Sequence, residues 1–113
     1  MTRATDCSFL VRATAHLCPA FTEHHFGHHL TPKGRTVPYR LDIAWPAAMV
    51  ALEVEGGLFS HGGHARGSGV LRDMNKYNIA QSLGWKVYRC TPAEVRDMSG
   101  LRWILPELER IKS

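Results

Sequence analysis

The clearest pattern of hydrophobic and polar positions lies between Tyr39 and Gly57, where apolar residues alternate with polar or small ones in two successive runs. The alternating apolar positions are Leu41, Ile43 and Trp45 in the first run and Val50, Leu52 and Val54 in the second. A period of two is typical of strands with one buried face. The intervening Pro46-Ala47-Ala48-Met49 favours a turn. We therefore predict a β-hairpin with one continuous apolar face.

The polar face of this hairpin brings acids together. A connection at 46–49 sets Asp42 opposite Glu53, and Glu55 opposite Arg40. Directly opposed Cβ atoms lie roughly 4.5–5.5 Å apart, where like charges repel. A hard cation such as Mg²⁺ would offset the repulsion, because it takes oxygen ligands and often only one or two protein carboxylates. The alternative is an ordinary hairpin whose polar face is solvated.

Patterns elsewhere predict the remaining elements. The predicted elements are a helix at 6–17, a strand at 21–30, a turn at 31–35, a glycine-rich loop at 56–69, a helix at 70–83, a strand at 85–90, a capping box from Thr91 to Glu94 and a final helical region interrupted near Gly100 and Pro106. In the helix at 70–83, Leu71, Met74 and Tyr77 form one apolar stripe. The order α-β-β-β-α-β-α predicts an α/β fold with a mixed sheet flanked by helices.

Composition limits the class of protein. The 113 residues fit a single domain, 1–113, and the net charge of +4 is compatible with a polyanionic partner such as nucleic acid. Three cysteines without CxxC spacing indicate reduced thiols rather than a disulfide framework. The sequence has no apolar run approaching the ~18 residues of a membrane span, and its N-terminal segment makes a poor signal peptide. We therefore expect no membrane partner and a cytoplasmic location.

Several segments in order carry a family resemblance: RLDIAWP, LEVEGG, HGGHARGSG and RDMNKYNIAQSLGWKVYRCTP. Together they resemble the PD-(D/E)XK nuclease superfamily, and more closely its small phage-type and very-short-patch-repair-like endonuclease domains. The match runs from about Glu23 to Pro92. It implies a restriction-endonuclease-like core, Mg²⁺- or Mn²⁺-dependent hydrolysis of DNA phosphodiesters, and a bacterial or phage-infected host.

The resemblance assigns roles to the hairpin. Asp42 matches the first motif acid and Glu53 the second, and with the carbonyl of Val54 they would hold the metal. The chain departs from the family at Glu55, which occupies the position of the motif lysine. A glutamate there would bind the metal or the attacking water.

Further site residues follow from the same likeness. Lys76 would supply the missing cation, the alternative being a solvated surface lysine. Asp73 would be an outer acid, or else a partner of Arg72 or Lys76. His64, in the glycine-rich loop, would act near the scissile phosphate as a base, a water-positioning group or a phosphate contact. Glu23 would add a further acid, and its alternative is an exposed strand glutamate.

Basic residues are expected to contact the DNA backbone, which positions the protein without selecting sequence. The candidates are Lys33, Arg35, Arg40 and Arg66. His24, His25, His28 and His29 do not favour zinc, because adjacent strand residues point to opposite faces and no cysteine pair accompanies them.

The sequence thus predicts a metal-dependent DNA endonuclease. One alternative is a Holliday-junction resolvase or a mismatch-nicking enzyme of the same superfamily, and a two-fold homodimer would favour the resolvase. The second alternative is a catalytically inactive nucleic-acid-binding domain on a nuclease scaffold. A structural or interaction protein is the third, and it leaves the clustered acids unexplained.

Overall fold

The computed structural model describes residues 5–30, 33–55 and 68–112. The helices are α1 (Ser8–Thr14), α2 (Ser68–Ser82), α3 (Pro92–Arg96) and α4 (Leu105–Lys112), and the strands are β1 (Phe21–Leu30), β2 (Thr36–Trp45), β3 (Val50–Val54) and β4 (Lys86–Cys90). Short 3-10 turns cover Pro46–Ala48 and Ser99–Arg102. The predicted order of elements is confirmed, with the last helical region divided.

The four strands form one mixed sheet in the order β1-β2-β3-β4. β1, β2 and β3 are antiparallel neighbours, whereas β4 pairs parallel with β3. A parallel pair needs a crossover connection, and α2 lies in the segment of chain that makes it. The fold is therefore α/β, with a mixed sheet flanked by helices as predicted.

Helices cover both faces of the sheet. On one face the core combines α1, α3 and α4 with Ile43, Trp45, Val50 and Leu52 of the hairpin. On the other, Ala80 of α2 and Trp85 pack with Ala44 and Ala51. No helix among the described residues is long and apolar enough to cross a membrane.

Two predictions about apolar faces are wrong. Leu41 belongs to the α2-side cluster rather than to the face that carries Ile43 and Trp45. Leu71 and Met74 are more than half exposed, so they form no buried stripe. In both cases the side chains that pack at the sheet differ from those that the local periodicity predicts to be buried together.

Local signals place the C-terminal elements. The capping box at the start of α3 is confirmed, since Thr91 Oγ1 accepts from the Glu94 N–H and Glu94 Oε1 accepts from the Thr91 N–H. A Cβ added at Gly100 would lie 3.3 Å from Cys90 Sγ, so this turn packs closely on β4. Pro106 lies in the first turn of α4 and does not interrupt it, because its missing N–H is not needed there.

One buried hydrogen bond ties α1 to the sheet. The Trp45 Nε1–H donates to Thr14 Oγ1 at 2.8 Å, and the Thr14 hydroxyl donates to the Leu10 carbonyl at 2.8 Å. All three residues are fully buried. A buried indole N–H left without a partner is costly.

Replacing Thr14 by valine keeps the shape of the side chain and removes the acceptor of the Trp45 N–H. We expect Thr14→Val to lower the free energy of unfolding by about 1–3 kcal/mol, measured by urea denaturation. Thr22→Val, at an exposed threonine of β1, is the matched control and should change it little. Equal stability of the two variants would contradict this role for Thr14.

Candidate active site

The strands β2 and β3 separate at Asp42 and Glu53. Backbone pairing is regular from Trp45–Val50 to Ile43–Leu52 and ends there. Beyond it, the Asp42 N–H donates to Glu53 Oε1 at 2.7 Å, and the Val54 N–H donates to Asp42 Oδ2 at 2.7 Å. Asp42 and Glu53 therefore do not simply oppose each other in a ladder. Each carboxylate accepts a backbone N–H of the other strand.

β1 is irregular at the same level of the sheet. Glu23 has φ +51°, a left-handed conformation that non-glycine residues seldom adopt. Regular strand residues two apart share a face, yet Leu41 and Ile43 pack in different clusters. The alternation of β2 is therefore broken at Asp42. Glu23 lies 3.7 Å from Arg40, so Arg40 pairs with Glu23 rather than with the expected Glu55.

α2 places a lysine and a tyrosine on Glu53. Lys76 Nζ lies 2.6 Å from Glu53 Oε2, and the Tyr77 hydroxyl donates to the same oxygen at 3.1 Å. Glu53 is only 5% exposed. Lys76 is therefore not a solvated surface lysine: it contacts Glu53, and 17% of its side chain is exposed.

Burial raises the pKa of both Asp42 and Glu53. For Glu53, burial is the main cause and the nearby Asp42 charge adds to it, while Lys76 opposes the shift. For Asp42, burial again dominates, and the Val54 hydrogen bond and Lys76 oppose it. Burial also raises the pKa of Tyr77, so this hydroxyl stays protonated and remains a donor to Glu53.

Arg89 is a site residue that sequence reasoning missed. β3 and β4 pair Glu53 with Arg89, and the Arg89 guanidinium lies 3.9 Å from the centre of the Tyr77 ring. Arg89 Nε lies 3.3 Å from Glu55 Oε1, an oxygen that is buried without a hydrogen bond among the described residues. The structure therefore has Glu55 paired with Arg89. Only the register of β3 with β4, a long-range feature, could have indicated this contact.

A cleft of about 240 Å³ opens beside Asp42. Its charged lining consists of Glu23, Arg40, Asp42, Arg72, Asp73 and Lys76. Asp73 is exposed at its edge, and Lys76 pairs with Glu53 rather than with Asp73. The cleft thus brings three cations and three carboxylates to one opening.

The other predicted contacts lie elsewhere. Lys33 and Arg35 are exposed in the β1–β2 turn. Arg35 precedes β2, and it is roughly 23 Å from Asp42 along the strand direction, at ~3.3 Å per residue. His64 and Arg66 lie outside the described residues.

One carboxylate oxygen of the acidic pair is open to a hard divalent cation, since both Glu53 oxygens already accept hydrogen bonds. Asp42 lines the cleft, and its Oδ1 accepts no hydrogen bond from any described residue. Asp42 and Glu53 have raised pKa values because burial and neighbouring acids disfavour their charges, and a bound cation would offset this effect. Mg²⁺ often uses only one or two carboxylates and keeps several waters. Within the described part of the chain, no group of three or more His, Cys, Asp or Glu side chains is arranged to hold a metal.

Comparisons with protein-family models, with curated proteins and with solved structures found no match to this chain.

Glu53 and Lys76 should be strongly coupled. Lys76→Met leaves a buried carboxylate without its cation, and we expect it to lower the free energy of unfolding by about 3–5 kcal/mol. In a Glu53→Gln background the same change should cost much less, because no buried charge is left unpaired. Urea denaturation of the four proteins in EDTA measures this double-mutant cycle. Lys33→Met, at an exposed lysine, is the control. Additive effects in the cycle would refute the coupling.

The raised pKa of Asp42 gives stability a definite dependence on pH. Above the ordinary value of 3.8 the folded protein holds a proton that the unfolded chain releases, so stability is lost as pH rises through the folded pKa. Asp42→Asn removes the charge and keeps an acceptor for the Val54 N–H. In EDTA this variant should unfold at a higher temperature than the parent at pH 7, with the gap closing below pH 3.8.

Asp73→Asn, which neutralises an exposed acid of the same cleft, is the control for that experiment and should leave the unfolding temperature nearly unchanged. A lower unfolding temperature for Asp42→Asn than for the parent at pH 7 would show, against expectation, that the Asp42 charge stabilises the metal-free protein.

Proposed function

We propose that this protein is a metal-dependent DNA endonuclease of the PD-(D/E)XK type with a restriction-endonuclease-like core. The observation that carries the proposal is the buried contact of Lys76 with Glu53, beside Asp42, at the point where β2 and β3 separate. Asp42 and Lys76 line the cleft, and the buried Glu53 contacts Lys76, so the two acids and the lysine that the motif uses lie together. Here the lysine comes from α2, because Glu55 occupies its usual position.

Asp42 and Glu53, with the carbonyl of Val54, are the groups that would hold Mg²⁺ or Mn²⁺. Such an ion, when bound, lowers the pKa of a coordinated water and offsets charge on the phosphate. Glu55 is a further acid for this site once it leaves Arg89. The exposed lining of the cleft would supply substrate contacts, since the guanidinium groups of Arg40 and Arg72 are suited to phosphate oxygens.

Lys76 is suited to stabilise the negative charge that develops on the phosphoryl oxygens. It lines the cleft while Glu53 holds its ammonium group. When a cation is held in place before the reaction, little reorganisation energy is needed as the negative charge develops. Tyr77 and Arg89 support this arrangement, since the tyrosine hydroxyl holds Glu53 and the guanidinium packs on the tyrosine ring.

A second candidate is a nucleic-acid-binding domain without catalysis. The observation that favours it is the engagement of both Glu53 oxygens, one by the Asp42 N–H and the other by Lys76 and Tyr77. Such a domain binds DNA in EDTA and does not cut it when Mg²⁺ or Mn²⁺ is added.

Neutral variants of the two acids test the proposal. Asp42→Asn and Glu53→Gln should each lower Mg²⁺-dependent cleavage of plasmid DNA on the order of a hundredfold or more, while circular dichroism shows an unchanged fold. Glu109→Gln, at an exposed glutamate of α4, should cut as the parent does. Cleavage by Asp42→Asn at the parent rate would remove the assignment.

The parent protein separates the two candidate functions. Linear, nicked and four-way DNA substrates, assayed with and without Mg²⁺, report both cleavage and substrate preference. Preference for the four-way substrate by a two-fold dimer would make the protein a resolvase. Binding to all three without cleavage under any metal would support the non-catalytic domain.

A further inference from the structure

An exposed aromatic group is held in place next to α4. Trp103 is 46% exposed, whereas the other two tryptophans, Trp45 and Trp85, are 0% and 8% exposed. Its ring is nearly parallel to that of Tyr88, with an interplanar angle of 9° and centroids 6.2 Å apart. The Arg102 guanidinium lies 5.0 Å from the centre of the indole. The exposed indole is therefore fixed by its neighbours rather than loose.

The support beneath this group is rigid. Tyr88 donates its hydroxyl to Glu107 Oε2 at 2.6 Å, and Glu107 is itself 8% exposed. Arg102 is held by Glu94 at 2.8 Å and by the Ser99 carbonyl at 2.9 Å. Both partners of the indole are thus fixed by hydrogen bonds.

Cations surround the aromatic group. Lys86 and Arg110 contact the Glu107 carboxylate at 3.3 and 2.7 Å. Together with Arg102, their side chains are each more than half exposed. Three exposed cations, each paired with Glu94 or Glu107, therefore lie beside Trp103 and its supports, and Asp97 is a further acid near Arg102.

This surface lies on the opposite face of the sheet from the candidate active site. Tyr88 pairs with Leu52, and both pack in the cluster that α1, α3 and α4 cover. Glu53 and Arg89 are the adjacent pair, and they contact α2. Neighbouring residues of a strand point to opposite faces, so the two surfaces are separate.

We propose that Trp103, supported by Tyr88 and Arg102, is a stacking site for an unpaired base of single-stranded nucleic acid, with Lys86 and Arg110 contacting its phosphates. An aromatic ring and exposed cations together match a base and its charged backbone. Bases inside a duplex are stacked on one another, so only an unpaired base can use the indole. The site goes beyond the proposed hydrolysis and does not depend on it.

Tryptophan fluorescence tests the proposal without cleavage. In EDTA, a thymidine oligonucleotide of about a dozen nucleotides, within the usual site size, should quench the emission of the parent saturably, because Trp103 is the exposed tryptophan. Trp103→Ala should lose this quenching and bind the oligonucleotide about tenfold or more weakly by fluorescence anisotropy. Trp103→Phe should retain most of the affinity, since a phenyl ring also stacks.

Phe21→Ala is the matched control, because Phe21 is another exposed aromatic residue, 54% exposed on β1, and it should bind as the parent does. A duplex of the same length should bind parent and Trp103→Ala equally.

The proposal is overturned if saturating oligonucleotide does not quench the parent, or if Phe21→Ala loses as much affinity as Trp103→Ala. A third result would also overturn it: Trp103→Ala changes its oligomeric state, measured by sedimentation, while its affinity for the oligonucleotide is unaltered. Trp103 would then belong to a protein–protein interface. The titration contains EDTA and measures binding rather than cleavage, which keeps this result separate from any failure of the proposed nuclease.

Discussion

The exchange of hydrogen bonds between Asp42 and Glu53 determines the rest of the site. Each carboxylate accepts a backbone N–H from the neighbouring strand, so side chains take over where the β2–β3 ladder ends. The exchange satisfies two backbone donors that the ladder no longer pairs. It also commits two negative charges to a partly buried position next to one another, and the surrounding residues act to compensate them.

Compensation comes from two other elements. α2 brings Lys76 and Tyr77 onto Glu53, and β4 brings Arg89 between Tyr77 and Glu55. Burial nevertheless raises the pKa of both Asp42 and Glu53. Ionising both acids therefore costs stability in the metal-free protein. A divalent cation bound beside Asp42, as proposed, would offset this cost.

The hairpin was predictable because its signals are local. The turn at 46–49 fixes which residues face each other, and the pairs Trp45–Val50 and Ile43–Leu52 follow from it. The change of face at Leu41 was not predictable, since it accompanies the irregularity of β1 at Glu23, a different strand. Local alternation contains no information about a neighbouring strand that disturbs it.

The candidate site, like the sheet, was predictable where the signals are local and not where they depend on distant contacts. Spacing placed Tyr77 on one stripe of α2 with Leu71 and Met74. It could not say that Tyr77 contacts Glu53 of the sheet while Leu71 and Met74 stay exposed. The sheet covers the side that carries Ala80, where small size permits close packing. Arg89 needed the register of a parallel pair separated by α2, which no local pattern specifies.

The proposed active site requires that Asp42 and Glu53 together bind a divalent cation. The most direct measurement is an anomalous difference map from crystals soaked in Mn²⁺. We expect a peak within coordination distance of Asp42 Oδ1 and of a Glu53 oxygen, and no such peak in crystals of Asp42→Asn. A fully soaked crystal of the parent with no peak there, and with Glu53 still held by Lys76, would contradict metal binding by this pair.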